Sequence, residues 1–238
     1  MGELPSPALE YKAGAARKLL ATELRRHGRL VYSNSLGAEA MVLTDIIWSH
    51  VPQIDVFTID TGRLYEETYQ LIEQLQRRYR RRLRVVYPDA EALEQLVAAQ
   101  GVNGFYTSLE ARLLCCRVRK VEPFTRGIAG YPAWVTGVRR EQSANRAAGE
   151  SVVWDTANNL HKISPLLDWS ESDVWQYIHA RRLPYNPLHD RQFPSIGCAP
   201  CTRAIQPGES RRAGRWWWEP PESRECGLHP RERAAVSA

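Results

Sequence analysis

Apolar positions along the chain alternate between two periods. From Leu9 to His27, residues Leu9, Ala16, Leu19, Leu20 and Leu24 fall at helical spacing with basic residues between them, which predicts an amphipathic lead-in helix. Arg29 to Ser33 then reads as a short strand, followed by the turn Asn34 to Glu39 and a helix over Ala40 to Ser49. Two further units follow. A strand at Ile54 to Ile59 leads through Asp60-Thr61-Gly62-Arg63 into a helix from about Tyr65 to Arg80. A strand at Arg84 to Tyr87 leads into a helix over Glu91 to Gln100. Another strand, Ala133 to Gly137, carries Val138-Arg139-Arg140 behind it, and Ala144 to Leu160 is polar, reading as a loop or an edge hairpin. Ser170 with Asp173 three positions on forms a capping box for a helix to about Ala180, which Leu183-Pro184-Tyr185-Asn186-Pro187-Leu188 breaks.

Strands alternating with helices of ten or more residues predict an α/β fold, a parallel twisted sheet flanked by helices. In such sheets ligands sit at the carboxyl ends of the strands, so Ser33 to Glu39 and Asp60 to Arg63 are expected to face one crevice. The first of these turns is small, polar and glycine-containing, and it feeds a helix. That arrangement aims backbone N–H groups and a helix dipole at a phosphate, although no GK[ST] follows and an ordinary strand-to-helix turn has the same look. Arg139 and Arg140 arrive at the same end, with Arg146 within reach of it.

The length of 238 residues suits one large domain with an appended tail, divided here as 1–207 and 208–238. With 43% hydrophobic and 25% charged residues the chain is ordinary globular protein. It has no apolar run near the roughly 18 residues a membrane span needs, and its first residues lack the regions of a signal peptide, so a cytoplasmic protein without a membrane partner is expected. The first eight residues and those after Pro230 are expected to be disordered. The net charge of +5 concentrates in Arg77 to Arg84 and Arg211 to Arg215. Such clusters suit a small polyanion or nucleic acid, and a merely solvated face would look alike.

Cysteine usage sharpens this picture. Cys115 and Cys116 are adjacent, Cys198 and Cys201 form a CxxC, and Cys226 stands alone, so five thiols argue against a disulfide framework. The two pairs supply four thiolates, enough for a zinc ion or an iron–sulfur cluster. Adjacent cysteines reach one small ion with difficulty, whereas a cubane offers each sulfur its own iron, which favours [4Fe-4S]. Two buried cysteines beside a redox CxxC remain an alternative on spacing alone. Trp216-Trp217-Trp218 cannot all face one core, so at least one indole is expected to cover a cofactor or nucleotide.

Several motifs together resemble one family, the iron–sulfur-containing assimilatory adenylyl-sulfate reductases within the wider phosphoadenylyl-sulfate reductase group. The resemblance runs in order across about residues 30 to 229. It rests on Ser35-Leu36-Gly37-Ala38-Glu39, Thr58 to Arg63, Cys115-Cys116 with Arg119 to Pro123, Thr136 to Arg140, Leu183 to Asn186, Ile196 to Arg203, Gly214 to Trp218 and Glu225-Cys226-Gly227-Leu228-His229. One place departs: the family often has an acidic residue after Gly-Ala-Glu, and here it is Ala40.

The resemblance implies an adenine nucleotide alpha hydrolase-like fold with a mobile catalytic tail. It implies thiol-dependent reduction of adenosine 5′-phosphosulfate to sulfite and AMP, in the service of sulfate assimilation and cysteine biosynthesis. Cys226, the spare thiol, is the expected nucleophile, forming an S-sulfo adduct that thioredoxin or a glutaredoxin-like dithiol resolves. A thiolate is the reactive form, and lowering a pKa of about 8.5 needs nearby positive charge. Lys120, Arg212, Arg215 and His229 match family positions at the sulfate end. Arg139, Arg140 and Arg146 are placed for phosphosulfate and ribose, with Ser33, Ser35, Leu36, Gly37 and Gly137 around the adenosine. Cys115, Cys116, Cys198 and Cys201 are the expected cluster ligands. No nucleic-acid partner is expected, and a homo-oligomer is compatible with all of this. Three rivals are a reductase preferring the 3′-phosphorylated nucleotide, an ATP pyrophosphatase-type enzyme, which would need an SGGxDS-like loop, and a non-enzymatic zinc or nucleic-acid module.

Overall fold

The computed structural model describes residues 6–142 and 150–224. The Ser6 side chain accepts from the Leu9 amide at 3.2 Å and caps α1 (Pro7–His27), and Gly28 at φ 74° ends it. Ordered structure therefore begins within the eight residues expected to be disordered, because a serine cap followed by proline suits a helix start. The chain continues through β1 (Val31–Asn34), α2 (Ala38–His50), β2 (Asp55–Ile59), α3 (Glu66–Tyr79), β3 (Arg84–Val86) and α4 (Ala90–Gln100), close to the periods of the sequence. The stretch after α4 differs from the sequence reading, which found no helix there. It holds α5 (Leu109–Cys116), a π-helical turn (Arg117–Val121) and α6 (Glu122–Ile128) in direct succession. β4 (Ala133–Val135), β5 (Val152–Asp155), β6 (Leu160–Ile163) and α7 (Glu171–Ala180) complete the elements, and the capping box at Ser170 and Asp173 is formed.

The six strands lie in the order β3-β2-β1-β4-β6-β5, all parallel except β5, which runs antiparallel to β6. The polar stretch before Ile163 thus forms the edge hairpin. Its second strand is also an inner member of the sheet, which Leu160-His161-Lys162-Ile163 hides because only its two ends are buried. The chain steps outward from β1 through β2 to β3 and then returns to the other side of β1 at β4. That reversal opens a crevice at the carboxyl ends of β1 and β4, where doubly wound sheets bind ligands.

Both faces of the sheet are covered. On one side α1, α2, α3 and α7 build the main core, and α2 is buried almost all round, from Ala40 to Trp48. On the other side Phe124 and Ile128 of α6 pack on Val31, Phe57 and Trp134. A buried carboxylate ties three helices together: Asp45 of α2 accepts from Tyr79 at 2.7 Å, Tyr177 at 2.8 Å and the Arg181 guanidinium at 2.6 Å. Residues 208–224 follow a defined path over the carboxyl ends of the strands. Thr202 and Arg215 form an antiparallel bridge, and the Arg203 amide donates to Gly214 at 2.9 Å. Among the described residues no helix is long and apolar enough to cross a membrane.

Candidate active site

The loop after β1 is shaped from beneath by Asn34. Its side-chain oxygen accepts from the Leu36 amide at 2.7 Å, its amide nitrogen donates to Thr44 at 2.8 Å, and its carbonyl accepts from Thr58 at 2.9 Å. These bonds hold Leu36 at φ 60°, a left-handed conformation that a branched side chain adopts only when its surroundings enforce it. The loop thereby delivers Gly37 as N-cap of α2, leaving the helix's first amides open to the crevice. On the facing strand end, a Cβ at Gly137 would lie 3.2 Å from the Cβ of Glu39, so glycine lets β4 and α2 approach closely. Arg139 is only 2% exposed and is held by carboxylates, donating to Glu39 and to Glu141 at 2.9 Å each.

Cys115 and Cys116 end α5, and the π turn that follows widens the helix so that Arg119 and Lys120 face the same space. Cys198 and Cys201 bracket a single turn whose carbonyls are held from below by tyrosines. Tyr65 donates to Ala199 at 3.2 Å and Thr202 at 2.6 Å, and Tyr106 donates to Pro200 at 2.7 Å. The four thiols meet in one cluster with Phe105, Trp216 and Trp218, and the Thr61 hydroxyl lies 3.2 Å from the Cys198 sulfur. Burial pushes the Cys115 thiol up from the ordinary cysteine value and the Cys201 thiol well up, and for Cys201 the neighbouring Cys198, Cys116 and Cys115 add to it. Among the described residues no three His, Cys, Asp or Glu side chains could hold a metal ion as placed.

The donors around these thiols suit an anionic metal–sulfur group. Three buried donor atoms, Trp216 Nε1, Arg119 Nε and Arg215 Nε, have no acceptor among the described residues, and all three side chains line the cavity that the cysteines line. Buried polar groups are rarely left so, and a body carrying sulfide and thiolate would satisfy them. Four thiols in one apolar cluster beside unsatisfied cationic donors are a fitting ligand set for such a group.

Positive charge is concentrated here by stacking. The guanidinium groups of Arg112 and Arg215 each lie 4.6 Å from the Trp216 ring centre, and that of Arg212 lies 5.9 Å from it. Arg112, 1% exposed in its side chain, makes a two-pronged pair with Glu219 at 2.8 and 2.7 Å, joining α5 to the C-terminal segment. A Cβ at Gly197 would sit 2.3 Å from the Arg215 guanidinium, so only glycine leaves that group its place.

One cavity of about 520 Å³ gathers most of the residues singled out by sequence. Ser33, Ser35, Leu36, Gly37, Gly137 and Arg139 line it from the strand ends, while Lys120, Arg212, Arg215 and the four paired cysteines line it from the other side. Arg140 is not among them. Its Nε donates to Asp168 at 2.7 Å, because the turn after β4 points alternate side chains apart. Cys226, His229 and Arg146 lie outside the described residues. The cavity also holds residues the sequence reading did not single out individually: Thr61, Arg112, Arg119, Glu171, His189 and Arg211. Arg211 carried a signal in the basic cluster, and Arg119 in its place beside the cysteine pair.

Comparison with known proteins gives a consistent result. The model of the phosphoadenosine phosphosulfate reductase domain matches residues 29–204. A protein of Allochromatium vinosum named adenosine 5′-phosphosulfate reductase is 53% identical over 231 residues, covering 97% of this chain and 90% of that protein. One of the same name from Burkholderia cepacia is 47% identical, covering 94% and 90%. Among solved structures, the phosphoadenylyl-sulfate reductase of Candida auris in a phosphate complex superposes with a TM-score of 0.69 at 23% identity, covering 86% of this chain and all of that one. The FMN adenylyltransferase of Candida glabrata superposes at 0.58 with 18% identity, covering 92% and 74%, a likeness of fold alone.

Proposed function

The chain belongs to the phosphoadenosine phosphosulfate reductase family, and from that premise we propose that it reduces adenosine 5′-phosphosulfate to sulfite and AMP for sulfate assimilation. The observation that carries this reading is the single cavity in which a nucleotide loop, a set of stacked guanidinium groups and four thiols converge. The near relatives bear that activity in their names.

In this reading the phosphate lies against the first amides of α2, and the sulfonate against Lys120, Arg212 and Arg215. Arg224, the last described residue, is pinned beside this wall. Its guanidinium donates to the carbonyls of Glu219 at 2.8 Å and Trp217 at 3.2 Å, and its own carbonyl accepts from Arg212 at 3.1 Å. Cys226 is two residues further along the chain. The Cys226 thiolate attacks sulfur, a sulfur–sulfur bond forms, the sulfur–oxygen bond to phosphate breaks, and AMP leaves. The guanidinium groups and His229 favour the thiolate and hold the sulfonate oxygens. A thiolate of an external dithiol protein such as thioredoxin then attacks the Cys226 sulfur and displaces sulfite. Its second thiol closes a disulfide and returns Cys226, so both electrons come from that dithiol. Such a donor is kept reduced in the cytoplasm, which is where we place the enzyme.

Cys115, Cys116, Cys198 and Cys201 would hold a [4Fe-4S] cluster, with Arg119, Arg215 and Trp216 donating toward it. When bound, that group supplies a fixed charge that orders Lys120 and its neighbours.

Protein purified without air should release sulfite and AMP in equal amounts from adenosine 5′-phosphosulfate with a dithiol reductant, and should prefer this nucleotide over its 3′-phosphorylated form. It should carry iron and labile sulfide near four of each, lost in Cys198→Ser and kept in Cys226→Ser. Absence of sulfite, or preference for the 3′-phosphorylated nucleotide, would reject the reading.

A further inference from the structure

The four paired thiols come from two pieces of structure that are held in different ways. Cys115 and Cys116 end α5, which Arg112 ties to the C-terminal segment through Glu219 at 2.7 and 2.8 Å and the Ser223 carbonyl at 2.8 Å. Cys198 and Cys201 bracket the tight turn Ala199–Cys201, in which every carbonyl accepts a hydrogen bond. That of Cys198 accepts from the Cys201 amide at 3.0 Å and the Thr202 hydroxyl at 2.9 Å, and that of Cys201 accepts from the Trp216 amide at 3.2 Å. The others depend on two phenols. Tyr65 donates to Thr202 at 2.6 Å and shares its hydrogen with Ala199 at 3.2 Å, and Tyr106 donates to Pro200 at 2.7 Å. A single tight turn has poorer hydrogen-bond geometry than an α-helix, so donors from outside it decide whether it keeps its shape.

Tyr65 occupies the N-cap position of α3, where the loop after β2 ends, and its ring packs edge-on against Phe193 at 5.8 Å. The same loop grips the cysteine turn at two more points. The Ala199 amide donates to the Arg63 carbonyl at 2.8 Å, and the Thr61 hydroxyl lies 3.2 Å from the Cys198 sulfur. Thr61 and Arg63 line the cavity together with Cys198 and Cys201. The loop and the turn are thus joined across more than 130 residues of sequence into one wall. Tyr106 braces that wall from the turn Gly104–Tyr106, with its ring 4.5 Å from that of Trp218. Cys115 and Cys116 take no part in these bonds.

Resting on the reading of the four cysteines as ligands of a metal–sulfur group, we propose that Tyr65 is a positioning residue that fixes the Cys198–Cys201 turn to the loop after β2, seconded by Tyr106, so that this half of the ligand set is held by the protein itself. A turn already in its binding shape costs little ordering when a ligand arrives, and it releases that ligand slowly. Without the Tyr65 hydroxyl, the Thr202 and Ala199 carbonyls lose a donor and Cys198 gains freedom to leave Thr61. The thiols of α5 stay as they are, because their support comes from Arg112 and Glu219.

Tyr65→Phe keeps the ring against Phe193 and removes only the hydroxyl. The full chain, as purified without air, is mixed with an iron chelator and iodoacetamide; absorbance follows iron release, and peptide mass spectrometry gives the labelling rate of each cysteine. Tyr65→Phe is expected to raise labelling of Cys198 and Cys201 roughly five- to tenfold, the size of one lost hydrogen bond, and to speed iron release by a similar factor. Cys115 is the internal reference and is expected to label as in wild type. Tyr106→Phe, which removes the Pro200 bond alone, is expected to raise Cys198 and Cys201 labelling about threefold, again without Cys115. Equal gains at Cys115 and Cys198 would show a general loosening and overturn the assignment, as would no gain in either variant. A wild type that carries no iron would reject the four-cysteine reading, and the labelling ratio would still decide the role of Tyr65.

Discussion

Arg215 owes its position to what its neighbours lack. Gly197 leaves a space that the guanidinium fills, and the methyl group of Gly197→Ala would fall 2.6 Å from its central carbon. Displacing that group by about an ångström is expected to lower kcat/KM roughly 100-fold while the thermal midpoint moves little. Steady-state kinetics beside a melting curve check this, and equal damage to both would point to a folding defect instead. Arg112 and Glu219 form a different kind of pair, both nearly inaccessible and 2.7 Å apart. Glu219→Gln removes the charge that offsets a buried guanidinium and is expected to cost about 3–5 kcal/mol in urea unfolding. Arg112→Met with Glu219→Leu should recover most of that, because desolvating two charges offsets much of their attraction. No recovery in the double variant would show that the pair is worth more than its desolvation.

At the level of elements, the segment that carries the chain toward Cys226 is organised by a turn closed with charge. The Glu209 carboxylate accepts from Arg203 at 2.7 and 2.8 Å and from the Gln206 amide at 2.7 Å. These bonds, led by Arg203, lower its pKa from 4.5 to about 2. A depressed carboxylate stabilises the fold above its unfolded value and ceases to do so as it protonates. The contribution is therefore present above pH 4.5 and fades as pH falls toward 2. Wild type and Glu209→Gln should differ in urea midpoint at pH 6 and converge near pH 2, and a constant difference would contradict the assignment. Elements were legible in the sequence where one apolar stripe decides them, as in α1, α3 and the central strands. The succession α5, π turn, α6 was not, because its inward positions are Cys115, Cys116, Arg119 and Lys120, chosen for the cavity rather than for a core. Asn34 and His189 were hidden for a related reason. Their partners, Thr44 and Thr58 for one and Trp175 for the other, are brought near only by the fold.

For the whole molecule, the order of the strands matters more than any one motif. The reversal between β1 and β4 puts the nucleotide loop and Arg139 on one crevice, and residues 208–224 close over it with Arg212 and Arg215. Among the described residues the cavity thus has Glu39, Glu141 and Glu171 with Arg139 and Arg211 at one side, and Lys120, Arg212 and Arg215 with the four thiols at the other. Family motifs made the thiols, the nucleotide loop and most of the cations readable in advance. Of the carboxylates in the cavity, Glu39 was readable from the first loop, whereas Glu141 and Glu171 were not, since they belong to separate elements.

The central claim is that a thiol two residues beyond Arg224 takes the sulfonate from the nucleotide. It is tested most directly by mixing wild-type protein with adenosine 5′-phosphosulfate in the absence of any dithiol, followed by intact and peptide mass spectrometry. One sulfonate per chain, carried on Cys226 and matched by one AMP released, is the predicted result. A sulfonate on any other cysteine, or AMP released with no adduct, would contradict it.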